Sequence, residues 1–278
     1  MAENTPQNPN PFAAPTVGVP QAQPNTPQEN FIAGGRSTNT GQGATWVARG
    51  WVLFTQAPLI WIVSVVIFFA IYLVLNFVPI IGMFVSYALY GLLAGGLMLG
   101  AHGQHNGRPL EVTDIFSGFK APHATPLLIV GVLYMAAWIV LMVVAGILFA
   151  MVLGASGGIG ALMDGGGGAI TGLLAGAGLG ALLVVLVVMS AAVPIFMAFW
   201  FAPILVAVNG IAPIEALKMS FSACLKNFLP FLIYGLIFLI LFIIGSIPLG
   251  LGLLVVIPLM YTSTYAAYRD IFLGDGGN

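Results

Sequence analysis

The chain has 278 residues, of which 60% are hydrophobic and only 5% charged. A soluble domain carries about a quarter charged residues, so this chain cannot clothe a water-facing surface. Seven Lys and Arg against eight Asp and Glu leave a net charge of −1, without the basic face that nucleic acid requires, and the single cysteine, Cys224, excludes an intrachain disulfide or a paired-cysteine zinc site.

Residues 1–43 are rich in Pro, Asn, Gln and Thr and contain almost no apolar run. Such a segment cannot offset the entropy of ordering and is expected to be a disordered tail. It has no basic start followed by an apolar stretch, so it does not read as a secretory signal. Its removal is expected to leave folding intact. Residues 44–278 read as a single membrane domain.

A bilayer core needs about 20 apolar residues of helix. Six stretches meet that need in chain order: Pro58 to Pro79, Ile80 to Ala101, Pro126 to Leu153, Ile170 to Val208, Phe228 to Ser246, and Leu251 to Tyr268. A glycine-rich tip, Gly154 to Gly168, separates the third from the fourth. The fourth is about twice the thickness of the hydrocarbon core as one helix. It is either one helix kinked at Pro194 and Pro203 or two segments. Charge favours one span. With six spans, Arg36, Arg49, Arg108, Lys120, Lys218, Lys226 and Arg269 all fall on one side, and the opposite loops hold only Asp164. Cytoplasmic loops collect Lys and Arg, so both termini are expected in the cytoplasm.

The fold class expected is therefore all-α: a polytopic bundle of six transmembrane helices, arranged as three hairpins with short interfacial helices. Internal repetition supports the hairpins. Pro109-Leu110-Glu111 followed by Pro126-Leu127-Leu128-Ile129-Val130-Gly131 recurs 104 residues later as Pro213-Ile214-Glu215 followed by Pro230-Phe231-Leu232-Ile233-Tyr234-Gly235. A fainter copy, Gly50-Trp51 before Pro58-Leu59-Ile60, lies upstream. Each unit reads as a short amphipathic segment, a proline and a helical hairpin, giving parallel repeats about an axis along the membrane normal. Pro109 to Lys120 and Pro213 to Leu225 are expected as surface helices. The second would lay Ile214, Leu217, Phe221 and Leu225 against lipid.

No set of groups for catalysis stands out. His102, His105, Glu111 and Asp114 share one polar segment, but Gly103, Gly107 and Pro109 make it a loop rather than a held metal site. Met163-Asp164-Gly165-Gly166-Gly167-Gly168 lacks the Gly-Lys-Ser/Thr ending of a phosphate loop. Gly91/Gly95, Gly96/Gly100, Gly172/Gly176 and Gly176/Gly180 read as helix-packing seams, with the partner helix left open. Ser64, Asn76, Ser190, Ser246 and Thr262 read as groups bonding across helices or back to carbonyls. Trp46, Trp51 and Trp61 and the Tyr261, Tyr265, Tyr268 stripe fit interfacial belts. No acidic, basic or His residue is expected inside the spans, which argues against proton-coupled transport.

Ser220-Phe221-Ser222-Ala223-Cys224-Leu225-Lys226-Asn227, the closing Ser263-x-Tyr265-x-x-Tyr268-Arg269-Asp270-Ile271-Phe272, Gly50-Trp51-x-Leu53-Phe54 and Trp200-Phe201-Ala202-Pro203 together resemble a family of uncharacterised proteobacterial multi-pass inner-membrane proteins. The resemblance covers roughly residues 46–272 and implies location and architecture, not activity. A fainter likeness is to the membrane domain of some glycerophosphodiester phosphodiesterases, whose soluble catalytic domain has no counterpart here. The function expected is non-enzymatic, without cofactor or metal: a role with lipid, with a second copy or with another membrane protein. The alternative is a passive channel or facilitator on the repeat axis.

Overall fold

The computed structural model describes residues 31–78, 81–155 and 168–275. Every regular element among them is a helix, as an apolar surrounding demands of a backbone that must satisfy its own hydrogen bonds. In order these are α1 (Gln42–Gln56), α2 (Pro58–Asn76), α3 (Ile81–His105), a 3-10 helix (Val112–Phe119), α4 (Ala124–Ala155), α5 (Gly168–Trp200), α6 (Ala202–Asn209), α7 (Pro213–Lys226), α8 (Phe228–Ser246) and α9 (Leu253–Leu273). Among the described residues, five stretches are long and apolar enough to cross a membrane: α2, α3, α4, Gly180–Asn209 and α8. The sixth expected span is helical as α9, but its C-terminal half carries Thr262, Ser263, Thr264, Arg269 and Asp270 and is largely buried.

The long fourth stretch is a single helical run with a break near one end. An unbroken helix would bond the Phe201 N–H to the Met197 carbonyl. The Ser220 hydroxyl of α7 sits between them instead, accepting from Phe201 N at 3.0 Å and donating to Met197 O at 2.7 Å. A side chain inserted in the ladder is a recognised cause of a kink. Pro203, in the first turn of α6, has no N–H to bond back across the same break. Gly210 then ends α6 in the left-handed conformation, with Ile211 N bonded to Leu205 O.

The elements fall into three units, each a short helix and two long helical runs: α1-α2-α3, the 3-10 helix with α4 and the broken run α5-α6, and α7-α8-α9. The short element of each unit packs on the second long helix of the unit before it. The 3-10 helix lies on α3, α7 lies on α5 and α6, and α1 lies on α9, which closes the ring. Glycines allow two of these approaches. A methyl at Gly50 would strike the backbone of Ser263, and one at Gly118 the carbonyl of Leu92. The seams of α3 also find partners within the chain: Gly91 and Gly95 meet Leu127 of α4, and Gly96 and Gly100 meet the 3-10 segment. The setting of Gly172 and Gly176 lies outside the described side chains, as does residues 156–167 of the glycine-rich tip.

Several sequence expectations need correction. The tail assignment extends too far, because residues 31–41 are tied to the bundle. Ile32 N bonds to Phe272 O and Arg36 N to Ile271 O, and buried Asn227 bonds Thr38 N, Thr38 Oγ1 and Arg36 O. The expected short helix before α4 is present but narrower than Pro109 to Lys120, a 3-10 helix over Val112–Phe119; it buries Asp114, Ile115 and Gly118 while Phe116 and Phe119 stay exposed. The aromatic belt is mostly interior. Trp46, Trp61, Tyr265 and Tyr268 are buried, and Trp51 alone of the three tryptophans is exposed. Their polar ends explain the burial: Trp46 donates to Asp270, Trp61 to Gln104 and Tyr268 to Asn209.

Helix α7 shows three faces where the sequence offered two. Ala216, Ser220, Ala223 and Cys224 are buried against the bundle. Ile214, Phe221 and Leu225 are exposed, as a lipid-facing stripe requires. Glu215, Lys218 and Lys226 form the third, charged face, with Lys218 paired to Glu215 at 2.7 Å.

Candidate functional site

The ring is not regular, and its irregularity opens a crevice. Where unit two follows unit one, α4 packs closely on α3. Where unit one follows unit three, α2 packs on α9. The equivalent third junction would join α8 to α5. There α8 packs instead on α1, and a methyl at Gly43 would strike the carbonyl of Pro230. The start of α8 reaches the end of α5 through the rings of Phe231 and Trp200, 6.0 Å apart. Beyond that contact the two helices enclose a crevice of about 610 Å³.

Its walls are aromatic and aliphatic: Val193, Phe196 and Trp200 on one side, and Phe231, Phe238 and Phe242 on the other, with Cys224 and Tyr234 at its base. Tyr234 is held by Ser263 at 2.9 Å and by Met260 O at 3.2 Å, so the polar end of its ring turns away from the apolar space. A small cavity of about 140 Å³ shares Trp200 and Met260 with this crevice. It also shares Tyr90 and Tyr261 with a third space of about 440 Å³, which Tyr72, Tyr87 and Tyr134 complete. Tyr90 stacks on Tyr134 at 4.7 Å, and Tyr87 meets Tyr134 edge-on at 5.7 Å. The three spaces therefore follow one another across the bundle through shared walls. Among the described residues, none has an Asp, Glu, Lys, Arg or His in its lining.

The residues considered for a metal do not converge. His102 Nδ1 lies 3.1 Å from the Tyr265 hydroxyl. Asp114 pairs with Arg108 at 3.0 Å and accepts from Glu111 N at 2.9 Å, capping the 3-10 helix. Three of the five polar groups expected in the spans bond to nearby carbonyls: Asn76 to Tyr72, Ser246 to Phe242 and Thr262 to Leu259. Sequence reasoning missed the buried network at the other end of the bundle. Asp270, fully buried, pairs with Arg36 and accepts from Trp46 Nε1 at 2.7 Å. Gln104 joins Trp61 to the Leu53 carbonyl. An acid one turn from the end of a helix, between buried aromatic residues Tyr268 and Phe272, was the available signal for Asp270.

Comparison with known proteins agrees with the location. The chain is 28% identical over 250 residues to a Burkholderia thailandensis protein named "Probable inner membrane protein", a match that covers 83% of this chain and 90% of that one. This chain is similar to an inner-membrane protein. The resemblance to uncharacterised proteobacterial inner-membrane proteins holds on that relative, whose name carries no activity. No family model and no solved structure matches the chain.

Proposed function

We propose that this protein is a six-span, non-enzymatic inner-membrane protein that holds a lipid acyl chain in the crevice between α5 and α8. The observation that carries the reading is the break in the ring. Two junctions are packed and the third is left open, lined by aromatic and aliphatic side chains, between stretches long and apolar enough to lie in a bilayer. At that depth the surrounding medium is acyl chain, and about 610 Å³ is within the size of ordinary ligand pockets. A water-filled pore along the repeat axis has less support. Where α3, α6 and α9 meet, Leu93, Leu205 and Tyr268 are fully buried.

Gly235 lies on the crevice wall, with nothing within 4 Å of an added Cβ. Gly235→Leu should fill the space without harming the fold. Protein purified from membranes should then retain several-fold less phospholipid than wild type at the same melting temperature. Equal retention would refute the acyl-chain reading. Solute flux in proteoliposomes that Gly235→Leu leaves unchanged would favour the channel reading instead.

Six spans would put both termini on one side of the membrane, and we take that side to be the cytoplasm. The cations support this, because Arg36, Arg49, Arg108, Lys120, Lys218, Lys226 and Arg269 lie on the strap formed by residues 31–41, the short helices and their flanking turns, and the C-terminal part of α9. A reporter active only outside the cytoplasm should be silent after Asn278 and active near Gly166. Activity after Asn278 would overturn the six-span model with cytoplasmic termini.

A further inference from the structure

Away from the crevices, α1, the end of α3 and α9 enclose a cavity of about 320 Å³ of different character. Its walls carry Arg49, Gln56, His105, Tyr265 and Arg269 beside aliphatic Val52 and Leu53. The two guanidinium groups come from opposite ends of the sequence and meet on one residue. Arg49 Nη1 donates to the Asp275 carbonyl at 2.9 Å, and Arg269 Nη2 pairs with the Asp275 carboxylate.

This pair differs from the neighbouring Arg36–Asp270 pair. Asp270 is fully buried within a helix and is held by Trp46 as well. Asp275 is half-exposed and follows Gly274, whose left-handed backbone ends α9. Arg269 itself is only 12% exposed. The cavity thus gathers two of the chain's seven Lys and Arg, and Asp275 is the one acid among the described residues of its lining. A buried guanidinium has to keep an anionic partner, and Asp275, with which Arg269 pairs, follows the end of the last helix rather than lying within it.

The geometry points to a binding site for a phosphate group, with the Asp275 carboxylate as the competitor built into the chain. The planar donor forks of two arginines match a tetrahedral anion with several acceptor oxygens. Gln56, Tyr265 and His105 line the same space and add hydrogen-bonding capacity. The phosphate can belong to an anionic phospholipid headgroup or be free in solution. Exposed Trp51 and Val52 lie on the helix that forms one wall, as suits a cavity at a membrane surface. The site does not depend on the crevice between α5 and α8.

The full chain would be tested in two arms. In detergent, its melting temperature is compared in inorganic phosphate and in chloride at matched ionic strength. In nanodiscs of mixed phosphatidylglycerol and phosphatidylcholine, the lipid retained on release is measured by native mass spectrometry. Stabilisation by phosphate alone identifies a free anion; retention of phosphatidylglycerol over phosphatidylcholine identifies a headgroup. Arg49→Gln should weaken whichever effect appears by about tenfold, as for loss of a hydrogen bond to a charged group, and Asp275→Asn should strengthen it. Absence of both effects overturns the proposal. So does Arg49→Gln that folds and binds as wild type, or Asp275→Asn that binds more weakly. If Arg49→Gln does not fold, Arg49→Lys keeps the charge without the fork and should bind less tightly than wild type. Equal binding by that variant overturns the proposal as well.

Discussion

At one end of the bundle Trp46, Trp61, Tyr268 and Phe272 are fully buried, and three short helices lie across the ends of the longer ones. At the other end Leu73, Phe77, Met151 and Ile244 are each more than half exposed. The most apolar part of α3 is 50% buried, against 22% for α2, α4 and α8. The first end is assembled like the interior of a soluble protein, with polar groups paired across large sequence separations. The second relies on close backbone approach and on lipid, because in a bilayer burying an apolar side chain gives little drive to associate. Specific tertiary structure is therefore concentrated at the end with the short helices, and substitutions there should cost far more than substitutions along the exposed spans.

The largest expected effect is at Asp270. Asp270→Ala leaves the Trp46 N–H and the Arg36 guanidinium without their partner; breaking a fully buried pair typically costs about 3–5 kcal/mol, and because Arg36 is 37% exposed this loss falls toward the lower end of that range. The same pair distinguishes two truncations. Deleting residues 2–30 should leave the melting temperature of the detergent-solubilised protein unchanged. Deleting residues 2–42 removes Arg36 and Thr38, stranding buried Asp270 and the side chain of Asn227, and should match Asp270→Ala. If both truncations melt with wild type, the strap is not part of the packed end.

A smaller effect is expected from two glycines in similar helices. Gly96→Ala would drive a methyl into the Ile115 carbonyl, where a shift of backbone costs about 1–3 kcal/mol. Gly146 of α4 has nothing within 4 Å of an added Cβ, so Gly146→Ala should be neutral in the same thermal assay. Equal melting of the two variants would mean that the 3-10 helix is not seated on α3.

The helices themselves were legible because an apolar medium makes length and composition decisive, and the expected fifth span coincides with α8, Phe228–Ser246. The Pro-aliphatic-Glu starts located the 3-10 segment and α7. What the sequence could not supply was which element each short helix meets. The glycine seam at Gly96 pointed to a close neighbour, but only the fold reveals that neighbour to be Ile115 rather than a second chain. The belt reading of Trp46 and Trp61 failed because aromatic residues with a polar end suit an interface and a buried hydrogen bond equally. The crevice was invisible for a further reason. Its walls, including Phe196, Phe231 and Phe238, read as ordinary lipid-facing residues, and it exists only because α8 leans to α1 and away from α5.

The mildest test uses Cys224, which stands where the packed end meets the crevice. It lies on the buried face of α7 and also lines the crevice between α5 and α8. Burial pushes its thiol up to about 12, against a weaker opposing hydrogen bond with Ser220. The thiolate is the reactive form, so raising the pKa leaves less of it at neutral pH. In the folded protein the rate of maleimide labelling should still climb between pH 9 and 10, where the unfolded chain has levelled off near the ordinary thiol pKa of about 8.5. The reagent's route separates the two sides of the residue. A membrane-soluble maleimide can arrive through the apolar crevice, whereas a charged one must cross the packed face. The soluble reagent should therefore react on the order of tenfold faster, and Gly235→Leu should reduce that advantage by filling the path. Labelling of the folded protein by the charged reagent at the unfolded rate would mean that α7 is not seated on α5. An advantage that survives Gly235→Leu would mean that the reagent reaches Cys224 by another route.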